Sequence, residues 1–288
     1  MTTDAKSSPD ELLRFLFDGL NIRGEIAQIS ASYQEVLSQQ DYPPAIQQLL
    51  GEFLVASALL SATLKFDGNL ILQLKTSGQL QLLMSECRKK SLLRGIARFD
   101  YDVSHDLLGI GQLVITIEPD RGERYQGIIE YQGTTLAQAL ETYFNQSEQL
   151  NTKLWLAADG KVAAGLLIQE LPSNPDDHLE NEDADAWNRI TLLANTMGQQ
   201  ELTGLDKMQA LQRLFHEETV RVFTPQQLKF ECTCSSQRTE NVLLNFGQEE
   251  VRKLLAEQGT ISIDCQFCHR QFLFEKNDVE NLFHNTTH

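Results

Sequence analysis

The sequence lacks several features that would assign it to a common class of protein. No run of about 18 apolar residues, the length that a membrane span needs, is apparent along its 288 residues. Residues 1–10 are polar and contain no apolar core of the kind that a secretory signal carries. These absences predict a soluble protein of the cytoplasm.

Motifs of common catalytic and nucleotide-binding sites are also missing. The sequence contains neither a G-x-x-x-x-G-K-[ST] phosphate loop nor a G-x-S-x-G nucleophile elbow. Gly109 and Gly111 form only part of a dinucleotide fingerprint, and a turn that opens a strand explains them better. His105 and Asp106 have no evident nucleophile nearby and are interpreted as a solvated turn. We therefore expect neither enzymatic activity nor a nucleotide ligand.

Basic residues are scarce, with 24 Lys and Arg against 40 Asp and Glu and a formal net charge of -16. Such a chain repels nucleic-acid phosphates and anionic membranes on average. The one compact basic cluster contains Arg88, Lys89 and Lys90, with Arg94 and Arg98 nearby, and no aromatic residues interleave with it. We interpret it as a solvated strand end or turn and expect neither nucleic acid nor membrane as a partner.

Apolar residues between positions 22 and 171 predict short strands and two helices. The pair Pro43-Pro44 opens the first helix, and Thr135 is a candidate N-cap for the second, which reaches about Gln149. Short connections, including a tight turn at Asp159-Gly160, favour a largely antiparallel sheet. The predicted strands are residues 70–75, 79–85, 92–99, 112–118, 125–131, 153–158 and 162–171. The predicted class is α+β, with segregated helices.

Composition changes after Pro172. Residues 176–185 are acidic and turn-forming, which is typical of a linker. From residue 186 to about Phe223, apolar residues at helical spacing predict short amphipathic helices that Gly198 and Gly204 interrupt. Helices this short need support from another part of the protein. Their apolar face comprises Ile190, Leu193, Met197, Leu205, Met208, Leu211, Leu214 and Phe215.

Four of the five cysteines lie in the last segment, residues 230–288, which has few apolar residues for an independent core. Cys232 and Cys234 form a C-x-C pair, and Cys265 and Cys268 form a C-x-x-C pair beyond a predicted helix at 248–258 and a strand at 260–264. Four thiolates at short spacing suit tetrahedral zinc and leave no position for water, so the metal is structural or redox-sensing. We predict one zinc ion per chain.

Other interpretations of the cysteines stay open. The four could form permanent disulfides, which are uncommon in a reducing compartment, or the C-x-x-C pair could be a thioredoxin-like motif. His269 or His284 could replace a sulfur ligand. The fifth cysteine, Cys87, stands beside basic residues that could make it a sensor thiol, but a lone cysteine ending an apolar strand is more often a buried small residue.

A site of four thiolates is also sensitive to oxidation. Zinc-bound sulfurs are held deprotonated and remain oxidisable nucleophiles, so their oxidation to disulfides would eject the metal. Zinc supplies roughly 10 to 16 kcal/mol to the folding of zinc-finger peptides, so its loss should unfold the segment.

Eight segments together are more specific than the cysteines alone. They are residues 82–87 (LLMSEC), 95–98 (GIAR), 123–128 (ERYQGI), 143–150 (YFNQSEQL), 214–218 (LFHEE), 220–223 (VRVF), 230–235 (FECTCS) and 265–268 (CQFC). In these segments, and over nearly its whole length, the chain resembles the redox-regulated heat-shock chaperone family HslO, the thirty-three-kilodalton bacterial holdase.

The resemblance implies an ATP-independent chaperone that is inactive while reduced and zinc-bound. It implies that oxidation with unfolding stress forms Cys232–Cys234 and Cys265–Cys268 disulfides, after which unfolding proteins are held and the chain is a homodimer. It further implies a substrate-binding and dimerisation domain (1–175), a redox-switch linker (176–229) and a zinc-binding redox-sensor domain (230–288). The predicted helices of the linker fit such a switch, because little free energy is needed to release them.

Two other functions compete with this one. A zinc-ribbon nucleic-acid binder would need basic residues around the metal, whereas acidic residues outnumber basic ones in the last segment. A zinc-ribbon protein-interaction module with a purely structural metal predicts that peroxide changes neither folding nor binding.

Overall fold

The computed structural model describes residues 10–65, 67–100, 107–172, 183 and 185–284. These residues form two compact units, one ending at Glu231 and one beginning at Cys232. The acidic residues 176–182 and the pair His105-Asp106 lie outside the described residues.

In the first unit the elements are β1 (Glu11–Phe17), β2 (Ile22–Ile29), α1 (Ala31–Leu37), α2 (Pro44–Thr63), β3 (Gly68–Thr76), β4 (Leu80–Arg88), β5 (Leu92–Phe99), β6 (Gly111–Pro119), β7 (Tyr125–Tyr131), α3 (Leu136–Tyr143) with a π-helical turn (Phe144–Glu148), β8 (Thr152–Ala158), β9 (Ala163–Glu170), α4 (Ala186–Ala194), α5 (Gln199–Gly204), α6 (Lys207–Phe215), β10 (Val220–Val222), β11 (Gln226–Gln227) and β12 (Lys229–Phe230).

The strands of the first unit form two sheets rather than the single sheet that the sequence suggested. The first sheet has the order β10-β1-β2-β9-β8, with β11 also paired to β1, and the second has the order β12-β5-β4-β3-β6-β7. Every pair is antiparallel except the parallel pair of β12 and β5. The predicted α+β class is therefore confirmed, although β1, β2 and α1 had not been predicted.

Helix α2 packs against strands of both sheets and forms the centre of the unit. It begins with Pro44 in its first turn, as predicted, because the ring fixes a helical φ and the missing N–H needs no partner there. Gly165 of β9 allows the close approach, since a Cβ at that position would stand 2.8 Å from the Leu59 side chain. By length and composition this 20-residue helix could cross a membrane, although Gln47, Gln48 and Glu52 interrupt its apolar residues. Its most apolar window is 72% buried inside the unit, as in the core helix of a soluble protein.

The second predicted helix begins where the sequence placed it and changes form near its end. The Thr135 hydroxyl accepts a hydrogen bond from the Gln138 N–H, and the Gln138 side chain accepts one from the Thr135 N–H. The α-helix ends at Tyr143 and continues as one π-helical turn to Glu148. Gln149 then stops it with a left-handed backbone, at a φ of 53°.

Helices α4, α5 and α6, here called the cover helices, pack on the face of the first sheet that is turned away from α2. The Asp206 side chain caps α6 by accepting a hydrogen bond from the Met208 N–H at 2.9 Å. The buried residues of this layer are Leu13, Phe15, Phe17, Ile22, Ile26, Ala157, Ala164, Leu166 and Ile168 from the sheet, and Ala186, Ile190, Ala194, Met197, Leu202, Ala210, Leu211, Leu214 and Phe215 from the cover helices. The predicted apolar face is thus correct except at Met208, which is 51% exposed.

The predicted helical region ends earlier than Phe223. Helix α6 stops at Phe215, and the β-branched pair of Val220 and Val222 forms β10, which pairs with β1. Strands β11 and β12 then pair with β1 and β5. The described part of residues 176–229 therefore packs within the first unit, and its role as a separate switch region stays a prediction.

The second unit is small but has a core of its own. It contains α7 (Ser236–Phe246), α8 (Gln248–Gln258), β13 (Ile261–Asp264), β14 (Gln271–Phe274) and α9 (Lys276–His284). Five buried side chains form its core, namely Leu243, Val251, Ile261, Phe274 and Val279. The expectation of too few apolar residues for a core was therefore too strong. The positions predicted for α8 and β13 are confirmed, whereas α7, β14 and α9 had not been predicted.

Gly24 should be essential to the layer beneath the cover helices. It lies opposite Phe15 on the neighbouring strand, and a Cβ at residue 24 would stand 2.2 Å from the Phe15 ring. That ring is held in place by Phe17 and Phe215. We expect Gly24→Ala to lower the free energy of unfolding by about 1 to 3 kcal/mol, measured by urea denaturation.

Gly204→Ala is the matched control, because no atom lies within 4 Å of a Cβ built there. It should leave the stability unchanged or raise it slightly. Equal effects of the two substitutions would contradict the packing argument.

Candidate metal centre

Two turns of the second unit carry the cysteines. Cys232 and Cys234 precede Ser235, the N-cap of α7, whose hydroxyl accepts a hydrogen bond from the Arg238 N–H at 3.3 Å. The other pair lies in the turn between β13 and β14, where the Cys265 N–H donates to the Arg270 carbonyl oxygen at 2.9 Å. The sequence reading missed α7, although a serine followed by a helical run is a known N-terminal signal.

The four sulfur atoms lie together. The distance from Cys232 Sγ to Cys265 Sγ is 3.6 Å, and that from Cys234 Sγ to Cys268 Sγ is 3.4 Å. All four lie within 4.8 Å of one another. Sulfurs bound to tetrahedral zinc at about 2.3 Å stand about 3.8 Å apart, so the cluster has the size of a four-thiolate site.

The histidines considered as substitute ligands do not join this cluster. Among the described residues, the group able to hold an ion comprises the four cysteines and neither His269 nor His284. His269 instead forms the end of the turn, where its N–H donates to the Cys265 carbonyl oxygen at 2.8 Å and its φ is 50°. The structure therefore brings together the four predicted sulfurs, which could bind a metal ion.

Burial and crowding control the ionisation of the thiols. Burial raises the pKa of Cys232 and of Cys234, and for Cys234 the neighbouring sulfurs raise it further. Burial acts in the same direction on Cys265, but backbone N–H groups of Cys268 and Phe267 with two sulfur contacts outweigh it and lower the pKa of that thiol. Metal ligation requires thiolates, so a divalent cation would relieve the repulsion that opposes their ionisation.

A hydrogen bond outside the cluster fixes the C-x-C turn. The Arg238 guanidinium Nη1 donates to the Thr233 hydroxyl at 2.5 Å, which ties the residue between the first two cysteines to α7. The sequence reading had given Arg238 no role. A side-chain hydrogen bond between exposed residues five positions apart follows no motif that residue spacing would reveal.

Cys87 does not have the surroundings of a sensor thiol. Its side chain is fully buried in the core around α2, and burial raises its pKa to about 12. The basic residues beside it belong to a strand end and turn, where Arg88 pairs with Glu231 at 3.4 Å and Lys90 with Asp67 at 3.9 Å. Both the buried-residue interpretation of Cys87 and the turn interpretation of the basic cluster are confirmed.

Comparisons with known proteins identify the class. A family profile described as Hsp33 protein matches residues 10–275. The 33 kDa chaperonin of Pseudomonas paraeruginosa is 46% identical over 286 residues, which cover 96% of this chain and 95% of that protein. The 33 kDa chaperonin of Nitrosococcus oceani is 47% identical over 278 residues, with 95% and 94% covered.

A solved structure shares the fold. The crystal structure of the 33 kDa chaperonin (heat shock protein 33 homolog) of Thermotoga maritima matches with a TM-score of 0.81 over 96% of this chain and 98% of that one, at 16% identity. The protein is therefore of the molecular chaperone class and not an enzyme. It belongs to the Hsp33 family.

The burial of Cys87 predicts a slow thiol in the native chain. A pKa of about 12 leaves far less thiolate at neutral pH than an ordinary cysteine has, and the side chain is shielded from reagents. We expect iodoacetamide to alkylate Cys87 at least about 100-fold more slowly in the native protein than in urea. Peptide mass spectrometry at several times measures this rate, and similar rates in both states would contradict the assignment.

Proposed function

We propose that this chain is a redox-regulated, ATP-independent holdase that binds unfolding proteins and prevents their aggregation under oxidative and heat stress. The observation that carries this proposal is the cluster of four sulfurs within 4.8 Å of one another. While the thiols are reduced and metal-bound, the chaperone is inactive. Oxidation releases the metal, and the linker then unfolds.

The proposed metal is one zinc ion per chain, bound by Cys232, Cys234, Cys265 and Cys268. An all-sulfur set of four ligands at tetrahedral spacing supports zinc over magnesium or calcium, which prefer oxygen. When bound, the ion holds the two cysteine turns together and keeps the sulfurs deprotonated. These residues make the metal a stabiliser of the second unit.

Oxidation is proposed to form Cys232–Cys234 and Cys265–Cys268 disulfides. Each one joins two sulfurs, and the two electrons that they lose reduce one peroxide to two waters with the uptake of protons. Two sulfur–sulfur distances in the reduced structure, of 3.4 and 3.6 Å, join different turns. A disulfide needs about 2.05 Å, so bonds within each turn draw its sulfurs away from tetrahedral positions and release the ion.

The face that binds clients is proposed to be the apolar face of the first sheet beneath the cover helices. The cover helices have nine, six and nine residues, which is too short for stability without their contacts to the sheet. Their departure would expose Phe15, Phe17 and Ile22, which are buried in the described structure. A contiguous apolar surface of this kind binds the exposed apolar segments of unfolding proteins.

In this scheme each segment of the chain has a different role. We assign substrate binding and dimerisation to residues 1–175, the redox switch to 176–229 and redox sensing to 230–288. The oxidised form is proposed to be a homodimer. The proposed location is the reducing cytoplasm, where the thiols stay reduced until oxidative stress occurs. Nucleotides, nucleic acids and membranes have no part in the scheme.

A redox experiment tests the function. The reduced chain should bind one zinc ion and leave the aggregation of a heat-unfolded client largely unchanged. Peroxide with mild heat should release the zinc and give strong suppression of light scattering. Cys232→Ser should bind zinc more than about tenfold more weakly, because one ligand is lost, and should lose the oxidation-dependent gain in activity.

Cys87→Ala provides the matched control and should behave as the wild type does, since Cys87 lies outside the cluster. Equal suppression by reduced and oxidised chains would refute the redox switch. Loss of zinc without any suppression would refute the chaperone assignment, and no effect of peroxide would favour a purely structural metal.

Weakening the cover helices should activate the reduced chain. The Phe215 ring of α6 packs edge-on against Phe17 with centroids 4.9 Å apart, and it is almost fully buried. We expect Phe215→Ala to cost about 3 to 5 kcal/mol of packing and to give the reduced protein measurable suppression of client aggregation. Leu192→Ala on α4 is the control, because Leu192 is 66% exposed. Inactivity of reduced Phe215→Ala, with its fold intact, would argue against the proposed client face.

A further inference from the structure

A carboxyl group that the proposed switch does not use lies inside the first unit. Glu25 of β2 is 2% exposed and lies on the face of the first sheet that is turned towards α2. Its Oε2 atom has no hydrogen-bond partner among the residues that the structure describes. Its Oε1 atom lies 4.0 Å from Arg23 Nε, which is beyond hydrogen-bond distance.

The nearest guanidinium is committed elsewhere. Arg23 donates through Nε and Nη2 to the Gln169 side-chain oxygen, at 3.1 and 2.6 Å. Gln169 in turn donates to the Thr152 hydroxyl at 2.8 Å, so the chain of hydrogen bonds leads away from Glu25. The carboxyl group thus has positive charge nearby, while its Oε2 atom has no donor among the described residues.

A cavity of about 250 Å³ adjoins this carboxyl group. One of its walls is Phe223, the residue that follows β10, and the Phe223 N–H donates to the Arg14 carbonyl oxygen at 2.9 Å. The remaining lining includes Arg23, Leu16, Ala62 and Leu171. Of residues 220–223, Phe223 therefore forms a wall of the space beside Glu25.

Few charges act on Glu25 within this space. Arg23 faces it from its own strand and Arg14 from β1, while β9 contributes the neutral Gln169 and Leu171. Ala62 of α2 and Phe223 carry no charge. Burial raises the pKa of Glu25 to about 7, because it outweighs the opposing effect of the two arginines.

We propose that Glu25 couples the loss of a proton to the departure of residues 220–223 from the first sheet, so that these residues detach more readily as the pH rises. The inference rests on the proposed function, in which these residues belong to the switch region. Departure of Phe223, which is itself 41% exposed, widens the access of water to the buried Glu25 side chain, and water solvates the carboxylate.

The direction of the pH effect follows from the linkage between proton binding and opening. The closed state has the raised pKa, near 7, and a fully hydrated open state approaches the ordinary value of 4.5. Ionisation therefore favours the open state, and the gain continues until the pH passes the closed-state pKa. Between pH 6 and pH 8 the ratio of open to closed chains rises by up to about tenfold, and above that it levels off.

Hydrogen exchange of the Phe223 amide in the reduced, full-length chain tests whether residues 220–223 detach more readily as the pH rises. After correction for the intrinsic exchange rate, the protection of this amide in the wild type should fall by up to about tenfold from pH 6 to pH 8. The control variant Glu130→Gln, which alters an exposed carboxylate of β7, should show the same fall. In Glu25→Gln the protection should be independent of pH. The Leu166 amide of β9, a strand flanked by β2 and β8, serves as the reference for global opening.

Phe223→Ala provides a second variant should Glu25→Gln fold poorly. It widens the cavity without removing the acid, so the pH dependence at the backbone amide of residue 223, which donates to the Arg14 carbonyl oxygen, should disappear. The same pH dependence in Glu25→Gln or in Phe223→Ala as in the wild type overturns the proposal, and so does an equal change at Leu166. No client or oxidant is used, so this result is independent of whether the redox chaperone assignment holds.

Discussion

The first sheet buries both of its faces, and most of the structure follows from that constraint. Strands β2 and β9 are buried at nearly every position, with one face against α2 and the other against the cover helices. A sheet that is apolar on both sides needs a layer on each. The two layers differ: α2 is a 20-residue helix that also packs on the second sheet, whereas the cover consists of three short helices. The cover is the layer that can leave at lower cost.

Buried polar groups make the cover interface weaker than its apolar area suggests. The Gln28 amide donates to the Thr203 carbonyl oxygen at 2.8 Å, but its Oε1 atom has no partner in the described part of the chain. Lys207 of α6 is 3% exposed, lies 3.8 Å from a Glu11 carboxylate oxygen, and has a pKa lowered by burial. Burying such groups offsets part of the hydrophobic gain. The proposed release of the cover helices needs an interface of this kind.

The second unit depends on sulfur because its core is small. Five buried apolar side chains cannot stabilise a unit of this size by a wide margin, so a metal bound by the cysteines would supply much of its stability. The same sulfurs are the atoms that an oxidant attacks. Cys232 stands two residues after Phe230 of β12, so the last strand of the first unit is followed directly by the first cysteine pair.

The features that could be predicted from the sequence are those encoded by neighbouring residues. The spacing of the cysteine pairs, the proline at the start of α2, the capping box at Thr135 and the turn at Asp159-Gly160 are each encoded within a few residues, and the structure contains all of them. Strand β1 escaped prediction because apolar residues stand on both of its faces, which removes the alternation that marks a strand. The division into two sheets, the exposure of Met208 and the isolation of Glu25 depend on segments far apart in the chain, and only tertiary packing decides which of these segments meet.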